Sequence, residues 1–159
     1  MRKLILVGLL VLSLCSNLSA GSKDINLFDV YTKPNGDTRY IVVLEDNSIH
    51  WFSPRQGWTK SSSKGLPDQD IKLISSYTRG RDTRYVTVLA DNSIYWFSPK
   101  QGWKKSSAKG LPGGYDIKSI KGYSKRDGDT RYAAVLSDNS IYWFSPRQGW
   151  TKSSKKGLP

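Results

Sequence analysis

The sequence predicts an all-β protein built from three four-stranded repeats of about 46 residues. One string, "DNSIHWFSPRQGW", occurs three times with few changes, starting at Asp46, Asp91 and Asp138. A second string, "DTRY", also occurs three times, at spacings of 45 and 47 residues. A period of this length is typical of one supersecondary unit that is repeated along the chain.

Each repeat contains two clear strands joined by a tight turn. "RYIVVL", "RYVTVL" and "RYAAVL" are rich in β-branched and aromatic residues, which favour strands. The Asp-Asn pair that follows suits a hairpin turn, because these residues tolerate a positive φ. The returning strand, "SIHWFSP" or "SIYWFSP", is expected to end at the proline, which cannot donate to a sheet ladder. These prolines are Pro54, Pro99 and Pro146.

Two further segments complete the four strands. A third strand is expected to start at the tryptophan after "RQG" or "KQG" and to run toward "KGLP". The segment before "DTRY" is less defined. In the last repeat its apolar residues Ile117, Ile120 and Tyr123 are three apart, which fits a bulged strand and a helical turn equally well.

Four strands per repeat fit a β-propeller blade or a β-trefoil lobe. Alternation favours the propeller, because Tyr40, Val42 and Leu44 make one face of the strand apolar while Ile41 and Val43 make the other face apolar too. Strands that are apolar on both faces belong to sheets packed between neighbours. The trefoil remains the alternative.

Three blades do not make a closed propeller, which has about four to eight. An open stack of three would expose apolar faces at both ends. We therefore expect a homodimer, in which two chains form a six-bladed ring.

The N-terminus resembles an export signal. Residues 1–20 begin with Arg2 and Lys3, continue with an apolar run and end with small and polar residues, which is the pattern of a secretory signal peptide. Secretion, or location in the periplasm or at the cell surface, is expected, and Leu14 before Cys15 argues against a lipid anchor. Residues 21–159 then form one repeat domain, with repeats at 24–67, 68–112 and 113–159.

Composition restricts the partners and the chemistry. The formal charge is +12, or +10 without the signal peptide, which favours anionic partners. Cys15 is the one cysteine, so the remaining chain has no disulfide. His50 is the one histidine, and tyrosine replaces it in the other repeats. The sequence therefore predicts no enzyme, no metal site and no cofactor, and the Asp46 series is explained by turn chemistry.

Two series of residues are candidates for ligand binding. The tryptophans that begin the third strand follow a turn at the sheet rim, where we expect them to meet solvent and a sugar ring. The other tryptophans, at mid-strand, are predicted to be core. The arginine of "DTRY" is expected to clamp a carboxylate, sulfate or hydroxyl, or else to pair locally with the Asp two residues earlier. The predicted ligand-binding residues are Trp58, Trp103, Trp150, Arg39, Arg84 and Arg131.

The loops after the third strands are rich in lysine. Three such loops on one face of a ring would add to one positive field, although solvated loops often have this composition. The predicted anion-binding residues are Lys60, Lys64, Lys104, Lys105, Lys109, Lys152, Lys155 and Lys156.

The order of "GGYDIKSIKGYS", "RYAAVLSDNSIYWFSP" and "GWTKSSKKGLP" resembles the repeat of lectin β-propellers, in particular the tachylectin-2-like family and bacterial propeller lectins. This resemblance covers the whole chain after the signal peptide. The related fucose-binding lectins have a glutamate shortly after the hairpin isoleucine, where this chain has Trp51, Trp96 and Trp143, so fucose specificity is not implied.

Together these observations predict a secreted lectin-like module with repeated shallow sites for acidic or sulfated surface glycans or lipopolysaccharide. Repeated weak sites gain avidity on a repetitive target. Binding of nucleic acid or other polyanions, and a purely structural role in protein interaction, are the alternatives.

Overall fold

The computed structural model describes residues 23–80, 82–125 and 130–153, of which 130 and 131 by their backbone alone. These residues form twelve strands in three four-stranded sheets. Sheet 1 contains β1 (Ile25–Thr32), β2 (Thr38–Leu44), β3 (Ile49–Ser53) and β4 (Gly57–Lys60). Sheet 2 contains β5 (Ile71–Arg79), β6 (Asp82–Leu89), β7 (Ile94–Ser98) and β8 (Gly102–Lys105). Sheet 3 contains β9 (Ile117–Ser124), β10 (Thr130–Leu136), β11 (Ile141–Ser145) and β12 (Gly149–Lys152). The predicted signal peptide, with Cys15, lies outside the described residues.

Each sheet is an antiparallel meander in which the strands lie side by side in chain order. Within the described ranges, no hydrogen-bonded strand pair joins one sheet to another. A trefoil barrel would require such pairs, so that alternative is wrong. The three sheets are consecutive blades of a β-propeller type, as the apolar character of both strand faces predicted.

The hairpin between the second and third strand of each sheet follows the predicted turn chemistry. Asn47, Asn92 and Asn139 have φ values of 60°, 63° and 61°. The aspartate before each of them accepts a hydrogen bond from the backbone N–H two residues later, at 2.8 to 3.0 Å. The Asp-Asn pair is therefore a structural element, as predicted.

The segment that the sequence left open is a bulged strand in all three repeats. In sheet 3, Leu136 pairs with Ile117 and Val135 pairs with Ser119, so Lys118 is the extra residue. Sheets 1 and 2 have the same irregularity at Asn26 and Lys72. The bulge turns the lysines of sheets 2 and 3 toward the hairpin asparagines, as described below.

The core lies between the sheets. Ile41, Val43 and Ile49 of sheet 1 pack against sheet 2 in one apolar cluster. Val86, Val88 and Ile94, at the equivalent positions of sheet 2, pack against sheet 3 in a second cluster. Sheets 1 and 2 thus use equivalent faces to pack on the sheet that follows. The following sheet receives them on its opposite face.

An aromatic ladder of Tyr, Phe and Trp crosses each sheet from the second strand to the fourth. In sheet 2 the ring centroids of Tyr85 and Phe97 are 5.3 Å apart, and those of Phe97 and Trp103 are 5.4 Å apart. The ladders of sheets 2 and 3 face the preceding sheet and are buried. Sheet 1 has no preceding sheet in the described chain, so Tyr40 and Trp58 of its ladder are exposed.

The carboxylate of Asp29 links the first strands of the three sheets, β1, β5 and β9. Asp29 of β1 accepts hydrogen bonds from the Ser76 backbone N–H at 2.6 Å and from its hydroxyl at 2.8 Å. The Lys121 Nζ of β9 lies 3.0 Å from the same carboxylate. Burial raises the pKa of Asp29, but the Ser76 hydrogen bonds and Lys121 outweigh burial and hold it below its ordinary value.

Because the pKa of Asp29 is lowered by folding, its ionised form stabilises the folded state above the unfolded pKa of about 4, and this contribution is lost as the pH falls through the folded pKa. We expect the free energy of unfolding to decrease between about pH 6 and pH 3, and Asp29→Asn to reduce that decrease by about 1–2 kcal/mol. Urea unfolding of wild type and Asp29→Asn at about pH 6 and about pH 3 measures this difference in stability. An equal pH dependence in wild type and Asp29→Asn would contradict this assignment.

Candidate functional site

A cleft lies between sheets 1 and 2, where β2 begins and β3 ends. It encloses about 290 Å³. Sheet 1 and the segment after it contribute Lys33, Arg39, Trp51, Lys60, Ser61 and Ser62. Sheet 2 contributes Asp82, Thr83, Tyr85, Phe97 and Pro99. The cleft therefore combines aromatic faces, hydroxyl groups and three cationic side chains with one carboxylate.

An arginine stacked on a tryptophan is the central feature of this cleft. The guanidinium carbon of Arg39 lies 5.3 Å from the ring centroid of Trp51, which is a cation–π contact. An Arg39 Nη2 donates to the Asp37 carboxylate at 3.1 Å. Nε of Arg39 has no hydrogen-bond partner among the described residues, so the Asp37 pair does not use the whole guanidinium. The arrangement holds a planar cationic donor in a fixed orientation.

The same pair recurs between sheets 2 and 3. The guanidinium carbon of Arg84 lies 5.9 Å from the Trp96 ring, and its Nη2 lies 4.0 Å from Asp82. Nε of Arg84 also has no partner within the described ranges. The chain therefore contains two related inter-sheet positions, one at each internal junction.

Apart from Asp82, the wall of the cleft that belongs to sheet 2 is neutral and carries hydroxyl groups. The Tyr31 hydroxyl and the Thr83 Oγ1 are 2.8 Å apart and link the two sheets. Burial raises the pKa of Tyr85 above its ordinary value, so its phenol stays protonated at neutral pH. These groups can exchange hydrogen bonds with a polar ligand without adding charge.

Trp58, Trp103 and Trp150 lie on the fourth strand of their sheets, and the prediction that they meet solvent is wrong for Trp103 and Trp150. Trp103 is 2% exposed and Trp150 is 4% exposed, whereas Trp58 is 54% exposed. The loop from the preceding sheet covers the buried pair, because the indole N–H of Trp103 donates to Ser62 O at 2.9 Å and that of Trp150 to Ser107 O at 3.0 Å. Trp103 and Trp150 are therefore junction residues, and Trp58 is exposed because no sheet precedes it in the described chain.

Two roles were expected for the arginine series, namely a ligand clamp and a local ion pair with aspartate. Arg39 and Arg84 lie by the aspartate two residues earlier, which is the local pair that was one of the two expectations. They also lie on tryptophan at the sheet junctions, so the role of ligand clamp stays a prediction. The side chain of Arg131 and the whole of Asp129 lie outside the described residues.

The lysine series is spread along the edges of the fourth strands and the loops after them. Lys60 lines the cleft between sheets 1 and 2. Five further members are exposed, namely Lys64, Lys104, Lys105, Lys109 and Lys152. Lys155 and Lys156 lie outside the described residues. Anion binding by this series stays a prediction.

Sequence reasoning missed Trp51, which it placed in the core. Trp51 is half-buried and lines the cleft beneath Arg39. The signal was present in the strand register: Ile41 pairs with Trp51, and Arg39 is two residues before Ile41 on the same face of β2. A diagonal Arg–Trp contact between neighbouring strands follows from that register.

The described residues contain no group of three or more His, Cys, Asp or Glu side chains placed to hold a metal ion. No helix in this part of the chain has the length and apolar composition needed to cross a membrane. A second depression, of about 370 Å³, is lined by Asn92, Gly114, Tyr115, Asp116 and Ser137. In this depression the Asn92 side-chain amide donates a hydrogen bond to the Asp116 carboxylate at 2.9 Å.

Comparison with solved structures identifies the fold. A fucose lectin from Kordia zhangzhouensis, solved with methyl-fucoside, aligns with a TM-score of 0.54 at 12% identity, over 80% of this chain and 98% of that one. The SapL1 lectin, solved with alpha methyl fucoside, aligns with a TM-score of 0.53 at 19% identity, over 80% of this chain and 46% of that one. Human WBSCR16 aligns with a TM-score of 0.54 at 8% identity, over 86% of this chain and 41% of that one.

What these proteins share with the chain is the fold. The chain spans nearly the whole Kordia lectin and less than half of SapL1 and WBSCR16. Its sequence matches no protein-family model and none of the curated proteins.

Proposed function

We propose that this protein is a secreted, non-enzymatic lectin-like module that binds acidic surface glycans in the clefts between its sheets. The observation that carries the proposal is the Arg39–Trp51 stack at the wall of an open, hydroxyl-lined cleft. An indole offers an apolar surface to a sugar ring, and a guanidinium binds carboxylate or sulfate oxygens through paired hydrogen bonds. Two structurally similar proteins were solved with fucosides, which supports a sugar as the ligand.

The charge of the cleft favours an acidic sugar over a neutral one. Lys33, Arg39 and Lys60 line it with Asp82 as the one carboxylate of the lining. The formal charge without the signal peptide is +10, which adds a long-range attraction for anionic surfaces. We expect weak binding per site that becomes effective through avidity on a repetitive glycan.

The paired variant Arg39→Lys/Arg84→Lys keeps the charge but removes the planar fork. We expect it to weaken binding of an acidic oligosaccharide about tenfold, since a hydrogen bond to a charged group contributes about 1.5 kcal/mol. Trp51→Ala/Trp96→Ala should weaken it further, because the apolar surface is lost. Isothermal titration of hits from a glycan array measures both effects, and thermal melts check the folding of each variant.

Tyr115→Ala is the matched control, since Tyr115 is an exposed aromatic residue outside both clefts. It should bind like wild type. Discrete hits that free sugar inhibits, and that the arginine and tryptophan variants lose, would support the proposal. Unchanged binding in both paired variants would contradict the assignment of the clefts.

A polyanion or nucleic-acid binder is the second candidate, because exposed lysines lie on or after the fourth strands of all three sheets. In that case binding would fall steeply with added salt, ignore neutral competitors and depend on Lys64, Lys104 and Lys109 more than on Arg39. Lack of binding to both glycans and polyanions would favour a structural, protein-binding role.

A further inference from the structure

The exposed apolar side chains of this protein are concentrated at the two ends of the stack of sheets. Eight large apolar side chains are exposed among the described residues. Five lie on the outer face of sheet 1, here called the leading face: Ile25, Phe28, Val30, Tyr40 and Trp58. Two, Tyr123 and Ile141, lie on the outer face of sheet 3, here called the trailing face, with half-buried Ala133 and Val135. Such patches mark an interaction surface.

The internal junctions show what fits each face. The side chains of sheet 1 that pack against sheet 2 are Ile41, Val43 and Ile49, and the equivalent positions of the trailing face are Ala133, Val135 and Ile141. The side chains of sheet 2 that receive them include Tyr85, Phe97 and Trp103, whose equivalents in sheet 1 are Tyr40, Phe52 and Trp58. The trailing face is therefore built to pack on a leading face, in the way the chain does twice within itself.

Each internal junction also contains the same polar contact, made by the hairpin asparagine. The Asn47 side chain donates to Asp70 at 2.9 Å and accepts from the Ile71 N–H at 3.1 Å. Asn92 does the same with Asp116 at 2.9 Å and the Ile117 N–H at 3.3 Å. Asn139 has the same backbone conformation, with φ 61°. The residues at the equivalent positions for it are Asp24 and Ile25, at the opposite end of the stack.

The bulge lysines extend this pattern to charge. Lys72 Nζ lies 3.0 Å from Asn92 and 3.2 Å from the Asp116 carboxylate. Lys118 Nζ lies 3.0 Å from Asn139, but it has no carboxylate partner in the described part of the chain. By the same equivalence, its carboxylate would be Asp24 of another copy.

We propose that two copies associate head to tail, each trailing face on the other copy's leading face, to close a ring of six sheets. Used twice about a two-fold axis, one junction buries both apolar faces of both chains. Six sheets lie within the range in which propellers close, and three do not. Given the proposed function, each new junction also completes a third cleft, with Trp143 from one copy and Thr38, Tyr40, Phe52 and Pro54 from the other.

Sedimentation velocity of the exported protein tests the ring. At tens of micromolar we expect twice the chain mass, and Ile141→Asp should give the mass of one chain, because it places a carboxylate in an apolar junction. Tyr115→Asp is the matched control, since Tyr115 is an exposed large apolar residue that lies outside both faces, and it should stay at twice the chain mass. A single-chain wild type, or a series of larger species, would overturn the closed ring.

A charge exchange tests the register without touching an apolar face. Asp24→Lys and Lys118→Asp each place like charges at the proposed junction and should weaken the dimer severalfold, while the double variant should restore it. Failure of the double variant to recover any affinity would contradict the register. Because both residues are exposed, these variants stay informative even if Ile141→Asp fails to fold.

The two proposals can fail separately. Mass is measured without a glycan, so a dimer that binds no glycan keeps the ring and removes the lectin function. Titration counts the clefts: three sites per chain in wild type and two in Lys118→Asp under monomeric conditions would support the shared cleft. Two sites per chain in both would overturn it.

Discussion

Trp103→Ala is expected to lower the free energy of unfolding by about 3–5 kcal/mol, the range found when a buried aromatic side chain is truncated. Trp103 is 2% exposed, packs against the Phe97 ring and donates its indole N–H to Ser62 O. The variant opens a cavity between sheets 1 and 2 and leaves the Ser62 carbonyl without that donor. Urea unfolding followed by far-UV circular dichroism measures the loss.

Trp58→Ala is the matched control, because Trp58 holds the same place in its repeat but is 54% exposed. Both substitutions are best compared in the Ile141→Asp chain, so that assembly does not add to stability. There we expect Trp58→Ala to cost less than about 1 kcal/mol. Equal losses in the two variants would show that the repeats do not pack as described.

Gly110→Ala is expected to destabilise the chain by about 2–4 kcal/mol, from backbone strain and crowding together. Gly110 has a φ of +85°, which an L side chain rarely adopts, and a Cβ there would lie 2.2 Å from the carbonyl oxygen of Trp150. The crowding atom is backbone of sheet 3, so relief would require the loop to move away from it. Thermal unfolding of the variant measures the effect.

Gly36→Ala separates the two causes. Gly36 has nearly the same φ, +82°, with no atom within 4 Å of its added Cβ. It should lose only the strain contribution, about 1–2 kcal/mol. If Gly36→Ala and Gly110→Ala lost the same stability, close approach of the loop to sheet 3 would not matter.

The strands and turns could be predicted because their causes are local. The residues of "RYIVVL" make both faces of the strand apolar, which requires a neighbouring sheet on each side. The strand β2 does have buried residues on both faces. The positive φ of Asn47, Asn92 and Asn139 follows from the conformational range of asparagine. The bulge could not be decided, since a spacing of three apolar residues suits a helical turn as well as a strand with one extra residue.

The exposure of the fourth-strand tryptophans could not be predicted, because it depends on position in the stack and not on the repeat. Trp58, Trp103 and Trp150 have the same local sequence, and two of them are covered by the loop of the preceding sheet. The Arg–Trp stack was within reach, because it needs only the register of Ile41 with Trp51. Trp51 was assigned to the core because a mid-strand tryptophan is usually buried.

The bond between Lys121 and Asp29 bridges residues 92 positions apart in the chain and reaches from the third sheet to the first. The first strands of the first and third sheets therefore lie, at this level, within the combined reach of one lysine and one aspartate side chain. Because this contact spans the stack from its first sheet to its third, it restricts how far the two end sheets can splay apart.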